Sequence, residues 1–260
     1  MIKLTTNLSG PLIELLHSKA VPVDGIEVGP WINTKKIAEK REMLPDIPFY
    51  FHGGDYLNGL SVVPGTLHRI HKYLEASGSP WLSLHITFFL PGVKYIFWKW
   101  NWKSPSINPD RATRGFIQKV QKLSRSVHVP ILLENPNPIP LYENHEIQTD
   151  RINRILEAAD CRLLLDTGHA RLAAETLGMA VEEYILRLPM DRVDQVHVSG
   201  PRMRDGRLFD AHEPLQEIDY RLLEFVLAHS KPKVVTLEYT REVDPLREQL
   251  ISLRSIMDGR

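Results

Sequence analysis

Short apolar runs alternate with amphipathic segments along the whole chain. Eight runs are rich in Val, Ile, Leu, Phe and Tyr, a composition typical of buried β-strands. They cover residues 2–6, 25–28, 49–52, 81–86, 130–134, 162–166, 193–198 and 233–239. Between and after them, apolar residues recur at the i, i+3, i+4 spacing of helices, at residues 11–19, 34–43, 64–76, 110–124, 150–159, 181–188, 219–228 and 244–257. The pattern predicts eight strands that alternate with eight helices.

This order of elements predicts the fold. Continuous apolar strands separated by helices indicate parallel strands joined by crossovers, with both faces of the sheet covered. Eight such units predict an α/β protein in which one domain, a (β/α)8 TIM barrel, occupies residues 1–260. The alternative is an open doubly wound sheet, which normally has fewer units and a glycine-rich phosphate loop. Neither G-x-G-x-x-G nor G-x-x-x-x-G-K-[ST] occurs, so the barrel is favoured.

Charge and cysteine content narrow the range of partners and compartments. The 32 Lys and Arg residues cancel the 32 Asp and Glu residues, so the net charge gives no reason to expect nucleic acid or an anionic membrane as a partner. Cys161 is the only cysteine and cannot form an internal disulfide. The chain has neither a signal-peptide pattern nor an apolar run long enough to span a bilayer. We therefore expect a cytoplasmic protein without a membrane partner, for which nucleic acid is a less favoured partner.

Carboxylates and imidazoles stand where the predicted strands end. The third to eighth strands each end in one, and three more follow closely in the connecting loops. Parallel strands of a barrel bring their carboxyl ends to one mouth, where carboxylates would repel each other unless cations held them. The sequence therefore predicts a metal centre, with nine candidate ligands: His52, His85, Glu134, Asp166, His169, His197, Asp210, His212 and Glu238.

The spacing of the candidates favours more than one metal ion. Asp166 and His169 are three residues apart at a strand-to-helix turn, and Asp210 and His212 are two apart, so each pair can chelate. Nine ligands are enough for two or three ions with open positions for water or substrate. We expect Glu134, on a middle strand, to bridge two ions. Nitrogen and oxygen donors suit iron, zinc and manganese alike, so donor type leaves the metal open.

Other catalytic schemes fit less well. Cys161 begins an apolar strand and is expected to pack in the core, which argues against a Cys-His nucleophile. No G-x-S-x-G motif is present. The remaining histidines fall on predicted helices or loops away from the mouth and are interpreted as solvated or structural: His17, His68, His71, His128, His145 and His229.

The long connection at residues 88–109 does not fit the alternating pattern. It contains Trp98, Trp100 and Trp102 together with three lysines, and it follows the strand that ends at His85. In a barrel this segment would lie over the mouth, where aromatic rings could close the site or bind substrate. Packing of the segment against its own barrel or against a second copy of the chain is an equally good interpretation.

Seven short motifs resemble the ligand motifs of the xylose-isomerase-like TIM barrels in order and spacing. The resemblance runs from the second predicted strand to the eighth and is densest after residue 160. The motifs are HGGDYLNGL from His52, LSLH at His85, LLEN at Glu134, LLLDTGHA around Asp166 and His169, QVHVSG at His197, DAHEPL at Asp210 and His212, and TLEY at Glu238.

Two branches of this superfamily fit. The stretch LPMDRVDQVHVSGPRMRDGRLFDAHEPL, with LLEN and TLEY, resembles the multinuclear non-heme iron-dependent oxidases, formerly grouped as a domain of unknown function. The full set of nine resembles the trinuclear zinc site of endonuclease IV, and the DTGH motif is closer to that branch. The oxidases often have an Asp-x-Asn-Asn pattern at this strand, so His169 departs from them. The balanced charge and the DRV-x-x-x-H run favour the oxidase branch.

The oxidase resemblance implies two or three metal ions, with iron favoured over zinc or manganese. A ferrous ion would activate O2 while a ferric ion holds a cysteine thiolate of a peptide, or a related small-molecule substrate, which a partner protein could present. We expect catalytic roles for Glu134, His169 and Glu238, and substrate contacts from Trp98, Trp100 and Trp102. The alternatives are an endonuclease IV-like zinc hydrolase of abasic-site DNA, a sugar isomerase or epimerase with fewer ligands, and a metal-binding module without catalysis.

Overall fold

Eight parallel strands close into a barrel. The computed structural model describes residues 1–18, 21, 23–55, 65–88, 100, 107–138 and 144–259. The barrel strands are β1 Lys3–Asn7, β2 Gly25–Val28, β3 Phe49–His52, β4 Leu82–His85, β5 Ile131–Glu134, β6 Arg162–Asp166, β7 Val193–Val198 and β10 Val234–Leu237. Each pairs in parallel with its neighbours in the order β1, β10, β7, β6, β5, β4, β3, β2, and β2 pairs with β1. The predicted TIM barrel is confirmed.

Helices follow the strands and cover the outside of the barrel. In the described part of the chain they are α1 Gly10–Ser18, α2 Thr34–Met43, α3 Thr66–Ser77, α4 Pro109–Ser124, α5 Thr149–Ala159, α6 Thr167–Leu177, α7 Val181–Leu186, α8 Glu217–His229 and α9 Val243–Asp258. Helix α4 shows why these segments are helical. The Asn108 side chain caps its first turn, Pro109 fits the first position, and Phe116, Val120 and Leu123 lie on the buried face.

The apolar core has two parts on either side of the barrel wall. The larger part packs the outward side chains of the strands against the helices, as with Phe51 on β3 and Leu133 on β5. The smaller part lies inside the amino-terminal half of the barrel and contains Tyr50, Trp81, Leu132, Leu164 and Val234. Side chains alternate between the two faces of each strand, so both parts are built from the same strands.

The same alternation brings polar groups into the mouth. Tyr50 and Leu132 belong to the inner cluster, and His52 and Glu134 stand two residues further along the same strands. A step of two residues keeps a side chain on the same face. The interior is therefore apolar at the amino-terminal end and carries carboxylates and imidazoles at the carboxyl-terminal end.

The helix after β6 differs from the prediction. The apolar spacing predicts a helix over residues 181–188, whereas the structure contains both α7 there and the longer α6 directly after β6. No loop separates β6 from α6, because Asp166 ends the strand and its Oδ1 accepts a hydrogen bond from His169 N at 2.7 Å as the helix N-cap. The prediction placed a strand-to-helix turn at Asp166 and His169 but assigned the helix only to residues 181–188, because no loop residues mark where β6 ends and α6 begins.

A two-stranded arm after β7 was also missed. Strands β8 Arg202–Arg204 and β9 Arg207–Phe209 pair antiparallel across a turn at Asp205 and Gly206. Both turn residues have positive φ, 50° and 74°, as a two-residue Asp-Gly hairpin turn requires. The Asp-Gly pair was the signal that could have identified this hairpin in the sequence.

None of the helices in the described ranges has the length and apolar character needed to cross a bilayer.

Candidate metal centre

The nine candidate ligands lie together at the carboxyl-terminal mouth of the barrel. Each has a nitrogen or oxygen atom within 4.0 Å of another member of the set, and the contacts join all nine into one network. Most of them are buried, and only His85 and the Asp210–His212 segment are partly exposed. Of the three tryptophans, Trp100 is described and 62% exposed. Trp98 and Trp102 lie outside the described residues.

The first group of donors comes from β3, β4 and β5. His52 Nε2 lies 3.1 Å from His85 Nε2, and both face Glu134 Oε2, at 3.5 Å and 3.2 Å. These three atoms lie close enough together to hold one metal ion. Without a cation, the lone pairs on these three atoms would repel one another unless protons were shared between them.

The far side of each of these two imidazoles is anchored. His52 Nδ1 lies 3.0 Å from Ser83 Oγ, and His85 Nδ1 lies 3.1 Å from Asp55 Oδ1. Ser83 donates its own hydrogen to the Phe51 carbonyl, so it can accept from His52, and in the neutral rings that a metal ion requires Nδ1 donates to these acceptors and Nε2 carries the lone pair that faces the group. Such partners on the far nitrogen fix the tautomer and the orientation of metal-binding histidines.

Glu134 stands between two groups of donors. Its Oε2 faces His52 and His85, whereas its Oε1 lies 3.1 Å from His169 Nδ1 and 4.0 Å from His197 Nδ1. The side chain is 1% exposed, so its carboxylate must be compensated inside the protein. That Glu134 bridges two ions stays a prediction, and the division of its two oxygens is the geometry that such a bridge needs.

The start of α6 positions Asp166 and His169. Asp166 Oδ1 caps the helix, which leaves Oδ2 without a hydrogen bond among the described residues. His169 Nδ1 donates to the backbone carbonyl of Asn135 at 3.0 Å, so its Nε2 faces Asp210 Oδ2 at 3.5 Å. Gly168 allows this close turn, since a Cβ there would stand 2.1 Å from Ser199 Oγ.

His197 and Glu238 form the side of the site contributed by β7 and β10. His197 Nδ1 lies 3.2 Å from Glu238 Oε1, and its Nε2 lies 2.9 Å from Glu27 Oε2 on β2. Glu27 is fully buried, and its contact with His197 spans the barrel interior. Two groupings of donors close enough for an ion occur here: Glu27 with His197 and Glu238, and Glu134 with Asp166 and His197.

The chain that returns from the arm brings Asp210 and His212 to the mouth. Asp210 Oδ2 lies 3.1 Å from His212 Nε2 and 3.5 Å from His169 Nε2. His212 has a φ of 46°, a left-handed conformation that is uncommon for a non-glycine residue and that re-aims its side chain. The backbone bond from Glu213 N to Gly200 O, 3.0 Å long, closes the base of this excursion.

Burial and mutual charge shift the pKa values strongly. Burial alone would raise the pKa of Glu134, but His85, His169 and His52 outweigh it and hold this pKa well below its usual range. Burial and the neighbouring carboxylates raise the pKa of Asp166 to about 7, against the effect of His169. Burial lowers the pKa of His52. Shifts of opposite sign within one cluster are typical of functional sites.

Several buried donor atoms have no hydrogen-bond partner among the described residues. They include Glu134 Oε2, Asp166 Oδ2, His197 Nδ1 and Asp210 Oδ1, which all belong to the nine candidate ligands. Buried polar atoms are rarely left unpaired, because each costs about 1–3 kcal/mol. Metal ions coordinated by these atoms would satisfy them, so the residues present fit a metal centre of nitrogen and oxygen donors.

Residues that orient the cluster were missed by the sequence analysis. Four of them are hydrogen-bonded to one of the nine, namely Glu27, Asp55, Ser83 and Asn135, and Gln195 is hydrogen-bonded to Glu27. Asn135 follows Glu134 in the LLEN motif, and Ser83 precedes His85 by two, so their strand positions were a usable signal. Glu27 gave no such signal, since its partner is on β7.

A closed parallel barrel with clustered nitrogen and oxygen donors at its carboxyl-terminal mouth defines a TIM-barrel enzyme with a site that could hold metal ions. The profile of one family, the RiPP precursor modification enzymes MbnB/TglH/ChrH, matches residues 16–258. The chain belongs to this family.

Individual relatives agree with this assignment. A UPF0276 protein of Bordetella pertussis is 29% identical over 204 residues, which cover 75% of this chain and 69% of that protein. A xylose isomerase-like TIM-barrel protein of Mycobacterium smegmatis, solved in complex with magnesium, has a TM-score of 0.63 at 13% identity and covers 99% of this chain and 96% of its own. A putative xylose isomerase of Rhodospirillum rubrum has a TM-score of 0.60 at 14% identity, with 99% of each chain covered. The structural neighbours support the TIM-barrel fold.

Proposed function

We propose that this protein is an iron- and O2-dependent oxidase that modifies a cysteine of a ribosomally made precursor peptide. The observation that carries the proposal is the position of Glu134, whose Oε2 faces His52 and His85 and whose Oε1 lies 4.0 Å from His197 Nδ1. Such a carboxylate suits a centre with adjacent ions, and membership of a family of RiPP precursor modification enzymes supports a peptide as the substrate.

The donors divide into groups that would hold two or three ions. His52, His85 and Glu134 Oε2 would hold one ion, and Glu134 Oε1 with Asp166, His197 and Glu238 would hold the second. A third ion would be held by His169, Asp210 and His212, whose nearest atoms lie 3.1 Å and 3.5 Å apart. Glu134 would join the first two positions.

Iron bound here would supply the reduction of O2 and an open position for a cysteine thiolate. The chain's own residues would set the rest of the chemistry. Ser83, Asp55 and Asn135 fix which nitrogen of His52, His85 and His169 faces the cluster. Burial excludes water from Glu134 and Asp166, which strengthens their electrostatic interactions. His85 and His212 are the more exposed members of the set, and they mark the side from which a substrate would enter.

The proposal retains Trp98, Trp100 and Trp102 as the residues that would contact the peptide. The described Trp100 exposes 62% of its surface, and the strand that precedes the segment ends at His85. Exposed aromatic rings beside a site are typical of surfaces that bind another chain. We include in the proposal a partner protein that presents the peptide.

Elemental analysis of protein purified without added metal is the first test. We expect about two or three iron atoms per chain and little zinc, as the family resemblance implies. The iron-loaded protein should then consume O2 in the presence of a cysteine-containing peptide and not with the matched serine peptide. Under nitrogen the peptide should remain unmodified.

A matched pair of histidine variants separates the site from the rest of the protein. His52→Gln should abolish O2 consumption, whereas His128→Gln, at an exposed position outside the mouth, should leave it unchanged. Zinc as the native metal, together with nicking of abasic-site DNA under nitrogen, would contradict the oxidase and favour the endonuclease IV-like alternative. Turnover of a sugar without O2 would favour an isomerase or epimerase.

A further inference from the structure

A row of buried polar side chains runs under His197. Trp81 Nε1 donates to Gln195 Oε1 at 3.0 Å, Gln195 Nε2 contacts Glu27 Oε2 at 2.7 Å and Thr236 Oγ1 at 2.9 Å, and Glu27 Oε2 contacts His197 Nε2 at 2.9 Å. Trp81 is 8% exposed and the other four are fully buried. Water therefore contributes little to the hydrogen bonding of this row, and its members must satisfy one another.

The indole of Trp81 determines how the Gln195 amide is oriented. An indole N–H can only donate, so the atom of Gln195 that faces it must be the carbonyl oxygen. The NH2 group of Gln195 then faces Glu27 and Thr236. An amide carries two hydrogens, and these two acceptors use both of them.

The same count assigns the protons of His197. Its Nε2 lies 3.1 Å from Gln195 Nε2, but no amide hydrogen remains for it to accept. His197 Nε2 must therefore carry a hydrogen, which it donates to Glu27 Oε2. In the neutral ring that a metal ion requires, the lone pair is then on Nδ1, the atom that lies 3.2 Å from Glu238 and 4.0 Å from Glu134.

We propose that Glu27 is a positioning residue that, with Gln195 and Trp81, holds His197 with the proton on Nε2 and presents Nδ1 to the metal centre. This assignment is the reverse of the one at His52, His85 and His169, which are anchored through Nδ1 and face the cluster with Nε2. A carboxylate behind a metal-binding imidazole both orients the ring and raises its basicity. Glu27 thus acts on the metal through His197.

The proposal rests on the proposed metal centre but not on the oxidation of a peptide. Its test therefore uses zinc under nitrogen, where no O2 chemistry occurs. In zinc-loaded protein labelled with 15N at histidine, NMR distinguishes the two ring nitrogens by their couplings to the carbon-bound ring protons. The His197 signals are assigned by comparison with His197→Asn.

The NMR measurement on the unmodified protein decides the tautomer directly. We expect the protonated nitrogen of His197 to be Nε2, and that of His52, His85 and His169 to be Nδ1. A proton on Nδ1 of His197 in protein that binds zinc would overturn the positioning role and leave the proposed function standing. Protein that binds no zinc would overturn the metal centre and the positioning role together. Zinc bound through Nδ1 without O2 consumption in the iron-loaded form would contradict the oxidase only.

Zinc affinity of variants tests the role of Glu27. Glu27→Leu removes the acceptor and should weaken zinc binding by about 10- to 100-fold. The double variant Glu27→Gln/Gln195→Glu returns a carboxylate to within reach of His197 Nε2 and should restore most of the affinity. Thr5→Val is the matched control, because it removes the hydrogen bond between Thr5 and Thr236 in the same buried layer without touching Glu27 or His197.

Thr5→Val should lower the melting temperature of the metal-free protein and leave zinc affinity unchanged. If Glu27→Leu binds zinc as tightly as the unmodified protein, Glu27 does not position the ligand. If the double variant binds zinc no more tightly than Glu27→Leu, the positioning role is also contradicted. That result would show that a carboxylate acceptor for His197 Nε2 does not determine zinc affinity.

Discussion

At the amino-terminal end of the barrel, Asp194 accepts hydrogen bonds from Arg162 at 3.0 Å and from Lys233 at 2.7 Å. At the other end, the ion-pair partners of Glu134, Asp166, Asp210 and Glu238 among the described residues are all imidazoles. Lys and Arg carry a charge that no metal can displace, whereas an imidazole can lose its proton and bind a metal. One end is therefore neutralised by the protein's own cations, whereas the other carries donors that could hold added cations.

The largest expected effect comes from Glu134→Gln, which removes the negative charge of this side chain at the mouth and keeps its size. The amide cannot serve as an anionic donor to both groups, so we expect the loss of more than one equivalent of metal. Turnover should fall by at least about 100-fold. Loss of a residue that only hydrogen-bonds a metal ligand typically costs about 10- to 100-fold, and Glu134 is expected to be a ligand itself. Elemental analysis and O2 uptake measure the two effects, and loss of one ion or none would count against the bridge.

Removal of metal should lower the stability of the protein, because the proposed metal ligands at the mouth lose their cations. Metal at about 100 times its dissociation constant should stabilise the fold by about 2.7 kcal/mol, or roughly 5–10 °C in melting temperature for a chain of this size. Calorimetry of the metal-loaded and chelator-treated protein measures this shift. An unchanged melting temperature would mean that the carboxylates at the mouth are satisfied without a cation.

Asp194→Ala tests the other end. It removes the acceptor of two charged donors, and hydrogen bonds to charged groups contribute about 1.5–3 kcal/mol, so we expect a loss of about 2 kcal/mol in the free energy of unfolding. Because Asp194 is remote from the mouth, the stabilisation by added metal should keep its size. Denaturant unfolding with and without metal gives both values, and a coupled loss would show that the two ends are not independent.

Replacement of Trp98, Trp100 and Trp102 by Ala separates substrate binding from metal binding at the mouth. None of the three is a metal ligand, so metal content should stay the same while KM rises or turnover is lost. Loss of metal or failure to fold would instead show that the segment belongs to the core packing.

The smallest effect is expected at Cys161, near the amino-terminal end of β6. Burial, with help from Asp160, raises the pKa of its thiol to about 12. A raised pKa keeps the thiol protonated in the folded protein, and since only the thiolate is reactive, alkylation at pH 8 should be far slower than after unfolding. The stability that this pKa shift contributes is present below pH 9.0, the ordinary pKa of a thiol, and is lost as the pH rises towards about 12. Fast alkylation of folded protein at pH 8 would contradict the burial of the thiol.

The strand pattern was enough to predict the barrel, because alternation and strand-helix order are local properties of the sequence. The strand-end residues followed, since parallel strands share one mouth. Glu27 could not be found in this way, because its partner His197 lies across the barrel and 170 residues along the chain. Helix α6 was missed for a related reason: Asp166 ends a strand and starts a helix with one side chain, which leaves no loop to mark the boundary.

The excursion that carries the arm is closed at its base. The hydrogen bond from Glu213 N to Gly200 O joins its two ends, and a Cβ on Gly200 would stand 2.1 Å from Glu213 O. The entropy of closing a loop grows slowly with its length, by about 0.6 kcal/mol per doubling. The arm can therefore be lengthened, shortened or exchanged over evolution at little cost, while Asp210 and His212 stay beside the closed base. Substrate choice could diversify here without redesign of the metal centre.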